Sequence, residues 1–261
     1  MRIVGIDTSS ATASVALLED GQLIAERCHP GSIAGDVAGL AGFKSNHAAV
    51  LIPLIESAVR QARVSLPEVS GIAVAIGPGS FTGLRIGLST VKGLAYGWGI
   101  PVVGVSTLLA QAARVGEFDG VICALLDARK HEVYVALFRK SKRGLTRLTE
   151  DLLVPAEDVI GQMRSRIGSM PCLFIGDGAR RYEKLLLDAL GVKARLCAED
   201  SASSCAAAVA RLGMERFRNS ESDELGTLVP VYLRPSEAEA KRSYVTDGKF
   251  AAKATLTKIP P

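Results

Sequence analysis

Gly77-Pro78-Gly79-Ser80-Phe81-Thr82-Gly83-Leu84-Arg85-Ile86-Gly87 lies between a short apolar run, residues 72–76, and a longer stretch that reads as a helix over 82–98. A strand that runs into a glycine-rich turn and opens a helix is the mark of an α/β unit. Glycines in such a turn permit positive φ and close backbone approach, and the helix N-terminus behind them attracts anions. The turn lacks the Gly-Lys-Ser/Thr ending of a P-loop, and its spacing is wrong for a dinucleotide fingerprint. The helix carries its own message. Gly83 and Gly87 lie four apart on one face, and Gly93 and Gly97 lie four apart on a neighbouring one. Each interior glycine costs about 1 kcal/mol relative to alanine, so these positions imply close packing against other backbone. One ridge suffices for a contact with the chain's own sheet; the second points to a helix–helix contact.

Working outward, residues 2–7 read as a strand ending in the turn Thr8-Ser9-Ser10. Residues 14–18 form a second strand, and Asp20-Gly21 turns tightly into a third over 22–28, completing an antiparallel meander. Residues 29–43, rich in Gly and Ala, read as a loop. Asn46 is a candidate N-cap for a helix over 47–63, in which Pro53 predicts a kink or a late start. A strand at 101–105 and a short helix after Ser106 follow.

The order then repeats in outline. Strands fall at 121–127, at 132–138 and near 147–153, a helix near 157–166, a strand at 172–175, and helices over about 180–190 and 203–217. Two successive units of this kind predict a duplicated α/β fold with lobes at 1–107 and 108–235. The helix near 203–217 is a candidate to pack back on the N-terminal lobe. Residues 236–261 carry Lys241, Arg242, Lys249, Lys253 and Lys258 with little apolar periodicity and read as a basic, exposed tail.

The 261 residues, 48% of them hydrophobic, suffice for a sizeable core. A net charge of +4 permits contact with nucleic acid without arguing for it. Cys28, Cys123, Cys172, Cys197 and Cys205 are odd in number and form no Cys-X-X-Cys pair, which fits reduced thiols in a cytoplasmic protein. The N-terminal stretch passes directly into a strand, without the pattern of a signal peptide, and no apolar run is long enough to span a membrane.

Two constellations can carry chemistry. Asp7, Thr8 and Ser9 sit in a polar turn that can cradle phosphate, with Gly77, Gly79 and Ser80 as its counterpart; equally, Asp7 and Ser10 can simply bond their own backbone. On the helix over 47–63, Val50, Leu51, Ile52, Leu54, Ile55, Ala58, Val59 and Ala62 cover more than one face. Such a stripe is either deeply buried or meets a partner. Metal and nucleophile readings find nothing: His29, His47 and His131 form no ligand pair, and there is no Gly-X-Ser-X-Gly elbow.

The blocks 6–10, 14–18, 77–108, 125–138 and 230–235 (Pro-Val-Tyr-Leu-Arg-Pro) closely resemble the TsaB (YeaZ) family over most of the chain. The resemblance implies an actin/Hsp70/sugar-kinase-like fold of two lobes. It implies a non-catalytic partner of TsaD, the transferase that makes N6-threonylcarbamoyladenosine at position 37 of tRNAs reading ANN codons, in an assembly that includes the ATPase TsaE. A second copy of the same chain is an alternative partner, and tRNA is met through the complex. The contact surface it implies lies on the helices over 47–63 and 82–98, through His47, Leu51, Ile52, Ile55, Val59, Gly83, Leu84, Gly87, Leu88 and Val91. Asp7, Thr8, Ser9, Gly77, Gly79 and Ser80 become a vestigial nucleotide site. No cofactor is then expected on this chain alone, with ATP or ADP entering through the assembly. TsaD-like chains carry a paired-histidine metal motif after the Gly-Pro-Gly block; here residues 106–111 contain no histidine, and Arg85 replaces an apolar residue. The alternative from the residues themselves is a nucleotide-dependent ATPase or kinase of this fold acting alone.

Overall fold

Short apolar runs buried on both faces build the first sheet. β1 (Arg2–Asp7), β2 (Ala13–Glu19), β3 (Gln22–His29), β4 (Gly71–Gly77) and β5 (Val102–Ser106) pair in the order β3-β2-β1-β4-β5. β1 is antiparallel to β2 and parallel to β4. The computed structural model describes residues 1–29, 46–191, 194–197 and 205–234. The glycine-rich segment 30–45 and the basic tail 236–261 therefore lie outside the described residues.

Both faces of this sheet are covered. Val4, Ile6, Val15, Leu17, Ile72 and Val74 point to one side, where α1 (His47–Ala62) and α2 (Phe81–Trp98) lie. Ile3, Ala73, Ala75, Val103 and Val105 point to the other, against α7 (Ala206–Arg218). Helix α7 comes from the far end of the chain and sits unusually close to the sheet. A side chain at Gly5 would collide with the carbonyl of Ala206 and stand 2.7 Å from Cβ of Ala210, and one at Gly71 would stand 2.8 Å from the Phe217 ring.

The second sheet repeats the first. β6 (Gly120–Asp127), β7 (Glu132–Ser141), β8 (Gly144–Arg147), β10 (Cys172–Ile175) and β11 (Ala194–Leu196) run β11-β10-β6-β7-β8, and β9 (Leu152–Pro155) also pairs with β7. Read from its other edge, this is the order and the mix of antiparallel and parallel pairs of the first sheet. The α/β unit is thus duplicated, one sheet in each of two lobes. α4 (Val159–Ile167) and α6 (Glu183–Leu190) cover one face. α3 (Thr107–Ala113) covers the other through Leu108 and Ala112, while its Ala110 packs on the first sheet's core, so this short helix is shared between the lobes.

Several expectations are corrected. The single strand near 147–153 is two strands, because the chain leaves β7 between them and the Thr149 hydroxyl takes over the backbone N–H of Leu137 (2.9 Å). The helix over 180–190 is α5 (Asp177–Arg181) followed by α6, broken where Tyr182 leaves helical dihedrals (φ −109°, ψ 20°). α1 begins at His47 with no late start although it contains Pro53, and Asn46 stands at its N-cap position without a side-chain cap bond. Strand β11 had no counterpart in the sequence reading.

Candidate functional site: the inter-lobe cleft and the α1–α2 surface

A cleft of about 980 Å³ opens between the lobes, lined from the first by Ser9, Ser10, Gly79, Ser80, Phe81 and Arg85 and from the second by Asp127, Arg129 and Asp177. The two turns singled out in the sequence meet at its floor. The Ser80 N–H donates to the Ser9 carbonyl (2.7 Å), and a Cβ on Gly79 would stand 2.5 Å from that same oxygen. Thr8 Oγ1 donates to the Gly83 carbonyl (2.8 Å). Ser80 caps α2 by accepting from the Gly83 N–H (3.2 Å).

Asp7 accepts the N–H of Ser9 (2.8 Å), the self-bonded turn that was the alternative to a phosphate cradle. It is 3% exposed, and burial pushes its carboxyl above the ordinary range against the opposing pull of its Ser9 bonds. Of the six residues read as a nucleotide site, Ser9, Gly79 and Ser80 line the cleft. Asp7 and Thr8 are buried behind them, and Gly77 packs against the carbonyl of Val231 (2.6 Å from a built Cβ).

The segment after α7 was not foreseen as part of this site. Val231 donates its N–H to Ile76 at the end of β4 (2.7 Å). The Tyr232 ring lies 4.9 Å from that of Phe81, and its hydroxyl accepts from Arg85 Nε (2.8 Å). Arg85 also stacks over Phe81, 3.9 Å from the ring centre. Arg234 then crosses to the second lobe, donating to the Ala128 carbonyl and pairing with Glu132. The Pro-Val-Tyr-Leu-Arg-Pro block thus ties both lobes along the cleft. No periodicity marks it, because its contacts come from four separate elements.

The β6–β7 turn forms the cleft's other lip. Arg129, Lys130 and His131 all have left-handed backbones (φ 64°, 52° and 62°). Each costs about 1–2 kcal/mol for a residue other than glycine, and the turn holds because Ala128 and Glu132 bond across it (3.0 Å). Among the described residues no three His, Cys, Asp or Glu side chains gather closely enough to share a metal ion. No helix there is long and apolar enough to cross a membrane.

The contact surface expected on α1 and α2 has to be redrawn. Leu51, Ile55, Val59, Leu84, Leu88 and Val91 are buried in this chain's own core, and His47 is buried with its Nε2 on the Ser10 carbonyl (2.8 Å). Gly83 and Gly87 press on Thr8. The wide apolar stripe of α1 is largely consumed by the first sheet, leaving Ile52 as the one residue of that set exposed, at 40%. The outer face of α2 is different. Ser89, Gly93 and Gly97, each four apart, are exposed. A Cβ on Gly93 or Gly97 would meet nothing within 4 Å. Tyr96 beside them is 86% exposed. The second glycine ridge thus has no use within the described residues.

The family model described as TsaD, tRNA N6-adenosine threonylcarbamoyltransferase, matches residues 42–242. The tRNA threonylcarbamoyladenosine biosynthesis protein TsaB of Bacillus subtilis is 33% identical over 241 residues, covering 92% of this chain and 97% of its own. A tRNA N6-adenosine threonylcarbamoyltransferase of Nitratidesulfovibrio vulgaris is 34% identical over 173 residues, covering 62% of this chain but 47% of its own. The solved structure of YeaZ from Pseudomonas aeruginosa superposes with a TM-score of 0.72 at 26% identity, covering 89% of this chain and 99% of the other. Full-length similarity to TsaB, a matching YeaZ fold and partial similarity to the transferase together show that the chain belongs to the TsaB family, within the wider group that the TsaD model describes.

Proposed function

We propose that this protein is a non-catalytic partner of the TsaD transferase in the synthesis of N6-threonylcarbamoyladenosine in tRNA, docking through the outer face of α2 and the adjoining α1. The observation that carries this reading is the exposed stripe Ser89–Gly93–Gly97 flanked by Tyr96. Glycines inside a helix cost stability, and here no neighbour among the described residues repays it. Small residues at four-residue spacing let a second helix approach closely, and a large exposed aromatic beside them supplies an anchor. Ile52 on α1 adds an exposed apolar contact.

The work is placed in the cytoplasm, with ATP or ADP entering through the assembly with TsaE and tRNA reached through the complex. A second copy of the chain is the competing occupant of the same face. The reading of a kinase or ATPase acting alone draws little support from turns in which Asp7, Thr8 and Ser80 bond the chain's own backbone.

The test mixes the protein with its cognate TsaD and follows complex formation by size-exclusion chromatography with light scattering. A heterodimer is expected, with threonylcarbamoyladenosine formed from TsaD, TsaE, threonylcarbamoyl-adenylate and tRNA only when this chain is added. Gly93→Leu and Tyr96→Asp are expected to abolish the heterodimer while leaving the melting temperature of the isolated chain unchanged or higher. Failure of the wild type to co-elute at micromolar concentration, with and without nucleotide, would sink the reading.

A further inference from the structure

We infer that the mouth of the inter-lobe cleft is an RNA-binding surface, in which Arg129 and Arg85 take phosphates from opposite lobes and the Tyr232–Phe81 pair offers a ring for a base. This rests on the tRNA-modification reading above for its choice of RNA, but not on which face meets the transferase.

The charge of the cleft supports it. The lining carboxylates are engaged internally: Asp127 pairs with Arg181 (2.8 Å) and accepts the N–H of Arg129 (3.0 Å), and Asp177 accepts the N–H of Asp127 (2.9 Å). Arg234 is spent on Glu132 and the Ala128 carbonyl. Arg129, by contrast, makes no ion pair or hydrogen bond through its guanidinium among the described residues and is exposed at the rim. Arg85 is exposed too; it has aromatic partners and the Tyr232 hydroxyl but no carboxylate. Each wall thus presents an exposed arginine with no ion pair among the described residues, although Arg129 shares its wall with Asp177, whose carboxyl is pushed up by burial and pulled down by the Arg129 charge.

Backbone strain singles out the same place. Arg129, Lys130 and His131 stand in left-handed conformations that glycine or asparagine would adopt at far less cost. Strain of this kind persists where the side chains at those positions are used. Here they are three consecutive basic or titratable groups, all exposed. Opposite them, Tyr232 is 39% exposed, and the Arg85 guanidinium lies 3.9 Å from the centre of the Phe81 ring and 5.6 Å from that of Tyr232. Cationic groups that track a phosphate chain beside aromatic stacking platforms are the recurring recipe for binding unpaired RNA.

The experiment measures binding of the full-length protein, without TsaD, to a labelled unmodified tRNA transcript by fluorescence anisotropy between about 50 and 200 mM salt. The wild type is expected to bind with an affinity that falls steeply as salt rises. Arg129→Gly and Arg85→Gln should each weaken binding about three- to tenfold at the low-salt end and lower the slope of log K against log salt by about one. Arg129→Lys should restore both. Glycine at position 129 relaxes its own backbone, so a loss of affinity there does not come from unfolding. Absence of saturable binding by the wild type, or variants with wild-type affinity and slope, overturns the inference. So does a result in which Arg129→Gly loses the TsaD complex and keeps RNA. Intact RNA binding without any TsaD complex would overturn the partner reading and leave this one standing.

Discussion

Thr8 and Gly83 are locked together across the first lobe: the Thr8 hydroxyl donates to the Gly83 carbonyl at 2.8 Å, and a side chain at position 83 would collide with the Thr8 carbonyl. The turn after β1 is thereby pinned under the first turn of α2. Gly83 and Gly93 lie on one helix but meet opposite surroundings, one pressed against backbone and the other open. Gly83→Ala is expected to destabilise the protein by roughly 1–3 kcal/mol through overpacking. Gly93→Ala should stabilise the isolated chain by about 1 kcal/mol through helix propensity. Urea denaturation of the two variants checks both signs.

The β6–β7 turn makes a prediction of its own. Lys130 has φ 52°, and no glycine shares the turn with it. Lys130→Gly should raise stability by about 1 kcal/mol, because the relief of left-handed strain outweighs the added freedom of the unfolded chain. A fall in melting temperature would show that Lys130 is held by contacts worth more than the strain.

Asp7 gives a pH dependence. Burial raises its folded pKa above the unfolded value of about 3.9. A raised pKa means that the folded state binds the proton more tightly, so this group's contribution is fully present below the unfolded value and is lost as pH rises through the folded one. Asp7→Asn keeps an oxygen for the Ser9 N–H and removes the buried charge. The variant should be more stable than the wild type above that window, with the difference vanishing near pH 4. Thermal melts across pH read the crossover.

The clasp behind β5 titrates in the opposite sense. Asp223 accepts from Arg216 (2.8 Å) and from the Gly104 N–H (2.7 Å), and the Arg216 bond holds its carboxyl below the usual range. A depressed pKa contributes stability above the unfolded value that is lost as pH falls through the folded one. Asp223→Ala should cost roughly 1–3 kcal/mol near neutral pH, since it also orphans the Gly104 N–H. The difference between wild type and variant should shrink as pH falls through the folded pKa of Asp223.

The strands and principal helices were legible in the sequence because each obeys a local rule. Residues 72–76 and 172–175 are short apolar runs, and α2 announced itself through the glycine-rich turn before it and the glycine spacing within it. The family could be read from the glycine block together with the blocks at 6–10, 14–18, 125–138 and 230–235. The candidate site was less legible. Glycine spacing at 83, 87, 93 and 97 indicated two packing ridges, but not that Gly83 and Gly87 serve the chain's own Thr8 while Gly93 and Gly97 stay open.

What the sequence by itself determined was the order of elements, the doubling of the α/β unit and the presence of unusual helix packing, since these follow from periodicity and local sterics. Only the tertiary structure decided which faces are spent. Burial on the first sheet claimed Leu51, Ile55, Leu84 and Leu88, although their pattern alone fits a partner surface equally well. It also brought Tyr232 and Arg234 to the cleft from more than a hundred residues away, to meet Arg85 and Glu132. Hydrophobicity dictates that a residue leaves water; which neighbour it leaves water with depends on how the sheets and helices close around it.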